Sequence, residues 1–450
     1  MRVIDLIRTD LGLYAFLIIW TFVSTIFNPF AYIIIPVVFI LVHREKYFEV
    51  IITLLLVLIL SDSSNLNLIW VKSFKTIFML TLGVGYLFKL NQNRYSGGVI
   101  KYFVPFFIVA VICIAYNPLP LESIQKTLSY FLIFLIVPIF TLEAIKSEGA
   151  TVIFRIVIFG LIILVISYVV GFFGGIEFGT ETETGTNTNK GRLSGLFGNP
   201  NGLGIFIVNF SCLLVASKSV YGKFGGKYFY ILTVIFALFL TVKTGSRGAL
   251  MALASLFICL ELFKYSTWIG LLFIIFFVSL YEYIADLMIN VLFAVGLQEE
   301  LRLDTIEEGS GRLIVWAFAW ENIQDSLFVG KGFGYDRYFT RANYILLSRK
   351  GHEGGVHNSY LMIWLNTGLI GLLAWLRGML LIIIASSKIT RVAWPILIAI
   401  FLSAFFEGWL VGSLNPYTSL LLVTFTVMMS PNFIGAESNE IEIVKQPVDE

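Results

Sequence analysis

Residues 357–387 read HNSYLMIWLNTGLIGLLAWLRGMLLIIIASS. A His357-Asn358 pair stands at the mouth of one long apolar helix, which carries a Gly-x-x-Gly pair at Gly368 and Gly371. About 17 to 25 apolar residues, rising 1.5 Å each, cross the ~30 Å of hydrocarbon in a bilayer. Runs of this kind recur from end to end of the 450 residues, which are 58% hydrophobic and 13% charged, with a mean hydropathy of +0.88. Such values lie outside the soluble range. In lipid each segment must satisfy its own backbone groups, and runs this long do so as helices rather than barrel strands. The expected fold is all-α and integral to a membrane. It has about 12–14 transmembrane helices and a large extracytoplasmic loop carrying short helices.

Fourteen candidate spans fall at about 11–27, 29–42, 48–60, 69–88, 99–116, 127–143, 151–174, 201–217, 228–243, 248–263, 268–285, 358–386, 393–412 and 416–430. The short second and third also fit a re-entrant pair. The opening MRVIDLIRTD is basic without a small-x-small cleavage site, so it reads as a retained anchor. With that end in the cytoplasm, cations gather on the inner side: His43, Arg44 and Lys46; Lys89, Arg94 and Lys101; Lys146 and Arg155; Lys218, Lys223 and Lys227; Lys264; Lys388 and Arg391. The opposite short loops, NPF, SDSSNLN, NPLPLES and GSLNP, carry none, as the positive-inside rule requires. Five regions follow: N-terminal helices over 1–174, a core over 175–285, a periplasmic loop over 286–357, C-terminal helices over 358–430, and an acidic disordered cytoplasmic tail over 431–450. Within the loop, Leu287 to Leu297 is amphipathic and suits the membrane surface. Cys113, Cys212 and Cys259 sit inside apolar runs, so neither a disulfide framework nor a metal cluster is expected. The net charge of +2 points to no partner.

Cations also stand where topology does not need them. Arg192 lies in KGRLSGLFGNPNGLG, Arg247 in TGSRGAL and Arg312 in EEGSGRLIVWAFAW, while His357 closes the large loop. All four fall on the outer side by the sidedness above. A guanidinium is a planar fork of donors matched to phosphate oxygens, and an imidazole titrates near neutrality and can take a proton from a hydroxyl. Together they suit a glycosyl transfer from which a lipid diphosphate leaves. Asn199 and Asn201 belong to a turn that opens a helix, whose unbonded N–H groups would add phosphate donors. Glu407 is a carboxylate inside an apolar span, where such groups are paired or functional, and it is expected to orient an arginine or the acceptor. Other features have plainer readings. Arginines at helix ends ordinarily snorkel, His43 and His352 face solvent, Asp62 and Glu282 are structural, and Gly368 and Gly371 also suit simple close packing of helices.

The chain lacks a GxxxxGK[ST] phosphate loop, an Asp-x-Asp pair and an HExxH pair, and GKGFG at 330–334 lacks the spacing of a dinucleotide loop. No cofactor is expected. These residues resemble the O-antigen ligase and polymerase superfamily of polytopic bacterial membrane glycosyltransferases. Its signature of His, then Asn, Ser or Gln, nine residues, Gly, two residues, and Gly, Thr or Tyr is met by His357, Asn358, Gly368 and Gly371. The likeness extends in order through RLSGLFGNPNGLG, TGSRGAL, SGRLIVWAFA and LFVGKGFG, over about residues 185–375. It implies an undecaprenyl diphosphate-linked glycan as donor, transfer without metal at the periplasmic face of the bacterial inner membrane, and a glycan acceptor that is a lipid-linked repeat unit or lipid A core. By position it implies Arg192 and Arg247 as diphosphate binders and His357 as base. The expected catalytic residues are His357, Arg312 and Glu407, and the expected substrate-binding residues are Arg192, Arg247, Asn199, Asn201 and Asn358. Fourteen spans favour a polymerase over a ligase. A transporter of lipid-linked sugar, which tends to have two similar halves, is the third reading.

Overall fold

The computed structural model describes residues 3–89, 98–173, 191–222, 225–266, 268–270, 272, 312–349 and 355–445, the side chains of 227 and 435–445 excepted. Every regular element among them is helical. The first seven helices are α1 (Val3–Ile26), α2 (Ile34–His43), α3 (Tyr47–Asp62), α4 (Ile69–Lys89), α5 (Val104–Cys113), α6 (Pro120–Glu148) and α7 (Ala150–Phe173). Then come α8 (Pro200–Tyr221), α9 (Gly226–Thr244) and α10 (Arg247–Tyr265). Short helices α11 (Arg312–Gln324), α12 (Tyr335–Ala342) and α13 (Tyr344–Arg349) precede α14 (Ser359–Ser387), and α15 (Ala393–Phe406) and α16 (Pro416–Lys445) follow it. Eight of the described helices are long and apolar enough to cross a bilayer, and four apolar segments are shorter. The protein is an all-α integral membrane protein. The span expected at 268–285 falls mostly, and the stretch Leu287 to Leu297 wholly, outside the described residues.

Burial separates the middle of the bundle from its rim. The apolar windows of α8 and α16 are 83% buried within the protein, whereas that of α1 is 22% buried and turns Ile18, Ile19 and Phe22 outward, as a lipid-facing helix must. The short α3 is buried along almost its whole length and packs on α4, α6, α7 and α16. α10 lies along α15, and α16 along α8 and α6.

Three expectations differ from the structure. Arg155 is not an inner-loop cation but a buried residue of α7. It donates to Asp10 of α1 and Glu148 of α6, with its guanidinium 3.6 Å from the Phe48 ring centroid, so its charge is neutralised inside the bundle. The span predicted over 393–412 ends at Phe406, because Glu407 is extended and a 3-10 turn, Trp409–Val411, follows it. The tail expected from residue 431 instead continues α16 through Pro431 to Lys445.

α14 is interrupted where the Gly-x-x-Gly pair begins. Gly368 has φ 68° and ψ −178°, a backbone state open to glycine alone. Its backbone meets the loop 327–332: Leu369 and Ile370 donate to the Leu327 and Phe328 carbonyls at 2.8 and 3.2 Å, and Lys331 and Gly332 donate to Leu365 and Asn366 at 3.1 and 2.8 Å. A Cβ at Gly368 would lie 2.2 Å from the Phe328 carbonyl oxygen. Gly368 thus serves a seam between helix and loop, more than close packing of two helices. Gly368→Ala is expected to cost about 3 kcal/mol or more, since strain and a backbone clash combine. Thermal unfolding of the detergent-solubilised protein checks this, and an unchanged midpoint would show that the seam does not need glycine.

Candidate functional site

Small residues bring separate helix ends together. A Cβ on Gly204 of α8 would stand 2.8 Å from that of Ala249 in α10, and one on Gly248 would stand 2.9 Å from that of Phe406, the last residue of α15. The next residue, Glu407, therefore emerges among the starts of α8, α10, α11 and α14.

Its carboxylate is the hub. Glu407 Oε1 accepts from Arg312 Nη2 at 2.7 Å and from Asn201 Nδ2 at 2.9 Å, and Oε2 lies 3.1 Å from His357 Nδ1. Asn201 in turn accepts from Arg192 Nη2 at 2.8 Å, and Arg192 Nε donates to the Thr244 carbonyl at 2.8 Å, three residues before Arg247. One polar chain so links Arg192, Asn201, Glu407, Arg312 and His357. The Glu407 side chain is 13% exposed, against 37% for His357, so the carboxylate lies beneath and the imidazole toward solvent. Burial alone would raise the Glu407 carboxyl pKa, but the hydrogen bond and charge of His357 and the charge of Arg312 outweigh it and hold the group below its ordinary range.

A carboxylate only accepts, so the hydrogen on neutral His357 belongs on Nδ1 and the lone pair on Nε2. The residue has φ 47°, a left-handed state uncommon outside glycine. Local contacts hold it there. Trp316, one turn beyond Arg312 on α11, donates through Nε1 to the Val356 carbonyl at 2.7 Å. Ser359 Oγ donates to the Glu407 carbonyl at 2.7 Å, and Tyr360 Oη to that of Phe401 at 3.0 Å. The backbone on both sides of the imidazole is thus tied to α11 and to the end of α15.

Residues 232–376 match the family model described as O-antigen ligase. That match supports the O-antigen ligase and polymerase superfamily. No curated protein matches the chain. The family implies a glycosyltransferase-like enzyme acting on lipid-linked glycans. The O-antigen ligase match includes Arg247, Arg312, His357, Asn358, Gly368 and Gly371, whereas Arg192, Asn201 and Glu407 lie outside it and meet it through the fold.

Two expected substrate contacts are helix caps. Asn358 is buried and its Oδ1 accepts from the Tyr360 and Leu361 N–H groups, each at 3.0 Å. Asn199 Oδ1 accepts from Gly202 N at 2.8 Å. That cap also changes the reading of the α8 start as a phosphate cradle. Pro200 has no N–H, Gly202 is taken by the Asn199 side chain, and Leu203 donates to the Asn199 carbonyl at 3.3 Å. Arg247 is the first residue of α10, next to Gly248, which packs on Phe406. His352 and Glu282 lie outside the described residues. Asp62 sits behind the site, accepting from Tyr417 Oη. Trp316 and Ser359 went unread although both stand in the quoted motifs, since an indole at i+4 from Arg312 and a hydroxyl after His-Asn announce their partners only in three dimensions. Among the described residues no group of three or more His, Cys, Asp or Glu side chains gathers to hold a metal, and the three cysteines are free and buried. Asn358→Ala should lower stability by about 1 kcal/mol, as loss of an N-cap does, and Asn358→Asp should retain it. Thermal unfolding of both variants checks the assignment, which fails if the two behave alike.

Proposed function

We propose that the protein is a metal-independent glycosyltransferase of the bacterial inner membrane that polymerises lipid-linked repeat units at the periplasmic face, using an undecaprenyl diphosphate-linked glycan as donor. The observation that carries this reading is the Glu407 carboxylate held between His357 Nδ1 and Arg312 Nη2. With Nδ1–H directed at Glu407, Nε2 takes the proton of the acceptor hydroxyl as its oxygen bonds to the anomeric carbon. The bond from that carbon to the diphosphate breaks, and the lipid diphosphate leaves with the electron pair. Arg192 and Arg247 bind the diphosphate and Arg312 supports its developing charge, which arginine does at any working pH. Loop charges that place the inner cations opposite this end support a periplasmic site.

The family description favours a second reading, transfer of a finished glycan to lipid A core or to protein. Donor chemistry is the same, and only the acceptor differs. Eight long helices and four shorter apolar segments do not distinguish the two.

His357→Ala should leave the protein in the membrane and reduce transfer about 10²- to 10⁴-fold, the range for loss of a general base. Glu407→Gln should fall comparably, since an amide facing Nδ1 reverses the favoured tautomer. Initial rates with purified lipid-linked glycan decide, and near wild-type activity in either variant removes that residue from the mechanism. Charge-removing substitutions of Arg192 and Arg247 should weaken donor binding, and unchanged binding in both refutes their assignment. Deletion separates the acceptors on a gel of surface glycan. A single repeat unit on lipid A core marks a lost polymerase, full-length chains stranded on undecaprenyl diphosphate mark a lost ligase, and units accumulating inside mark a transporter.

A further inference from the structure

The outer end of the molecule holds cations that the donor site does not use. Arg337 and Arg341 stand one turn apart on α12 and, with Thr340, form one side of a cavity of about 320 Å³. Gly355, Val356 and Met362 also line it. Val356 immediately precedes His357, and its carbonyl is pinned by Trp316, so this cavity shares a wall with the strand that carries the imidazole.

The charge here is unbalanced. Asp336, also on the wall, spends its carboxylate inside the protein: its Oδ1 accepts from Lys126 Nζ at 2.7 Å and from Asn366 Nδ2 at 2.8 Å. Arg341 reaches Glu122 at 3.0 Å. Arg337 is exposed and makes no ion pair within 4 Å among the described residues; Asp336 beside it attracts it, but that carboxylate is already paired with Lys126, and the nearby Lys75 is offset by Asp62. Lys75 is itself fixed by donation to the Leu414 carbonyl at 3.1 Å. The surplus positive charge of one guanidinium beside a concave site lowers the cost of binding an anion there. Arg192 and Arg312 are tied to Asn201 and Glu407, on the hub side of His357. A group in the cavity approaches from the Val356 side.

We propose that this cavity receives the acceptor, with Arg337 binding an oxyanion that the acceptor itself carries, either its diphosphate or the carboxylate of an acidic sugar. The assignment rests on the transferase reading above and adds to it the acceptor's place and a chemical requirement on the acceptor.

The test uses the full chain in nanodiscs and two photoreactive probes with a diazirine on the terminal sugar. One is a neutral disaccharide on farnesyl diphosphate, and the other is a glucuronate-containing disaccharide without phosphate. Labelled peptides are mapped by mass spectrometry for the wild type, Arg337→Ala and Arg337→Lys. Labelling is expected within 335–342 or 355–362, reduced about tenfold by Arg337→Ala, as loss of a charge-assisted hydrogen bond allows, and largely restored by Arg337→Lys. An effect on the first probe alone identifies the diphosphate as the recognised group, and an effect on the second alone identifies the acidic sugar. Labelling confined to 192–204 and 244–250 overturns the acceptor cavity while supporting the transferase reading. No labelling at the outer end with either probe overturns both, and cavity labelling indifferent to Arg337→Ala overturns the role of that arginine.

Discussion

An ionised carboxylate taken out of water survives only where other donors replace its hydration shell. Glu407 has such donors from three places in the chain: Asn201 at the start of α8, Arg312 at the start of α11, and His357 before α14. Removing one partner of a buried charge costs about 3–5 kcal/mol, because the remaining charge stays buried without it. The same contact that fixes the imidazole's tautomer therefore also fixes how these helix ends meet.

The opposite end of the bundle uses the same device with the charges reversed. Arg155 is surrounded by Asp10 and Glu148, drawn from α1 and α6, and covers the Phe48 ring from α3. A third pair, Lys126 with Asp336, joins α6 to α12 and is completed by Asn366 of α14. Helices in a bilayer gain nothing from hiding apolar faces from one another, so polar contacts and close packing fall to the task of choosing neighbours. These clusters supply those choices at both ends, whereas the middle relies on fitted apolar surfaces around α8 and α16.

Much of this organisation was legible in the residues. Hydropathy marks each described span, because a lipid-crossing helix has to be long and apolar. The motifs around Arg192, Arg247, Arg312 and His357 indicated a shared end, and the fold brings those stretches together. The partners were less legible. Glu407 reads as an intramembrane carboxylate because Gly408 is the one local sign of a helix end in a long apolar run, and the ties from Ser359 and the turn at Trp409–Val411 draw the chain out of helical form. The capping roles of Asn199 and Asn358 are not legible in sequence, because an Asn that meets a ligand and an Asn that caps a helix are written identically. Arg155 reads as a loop cation because its counter-ion, Asp10, is 145 positions away.

The interruption of α14 at Gly368 reaches further than the helix itself. Four main-chain bonds fasten residues 327–332 to that break, and as neighbours in one seam they are made and lost together. That part of the outer loop accordingly travels with α14 as a single body. α14 also bears His357 at its mouth, so loop and imidazole stand on one foundation.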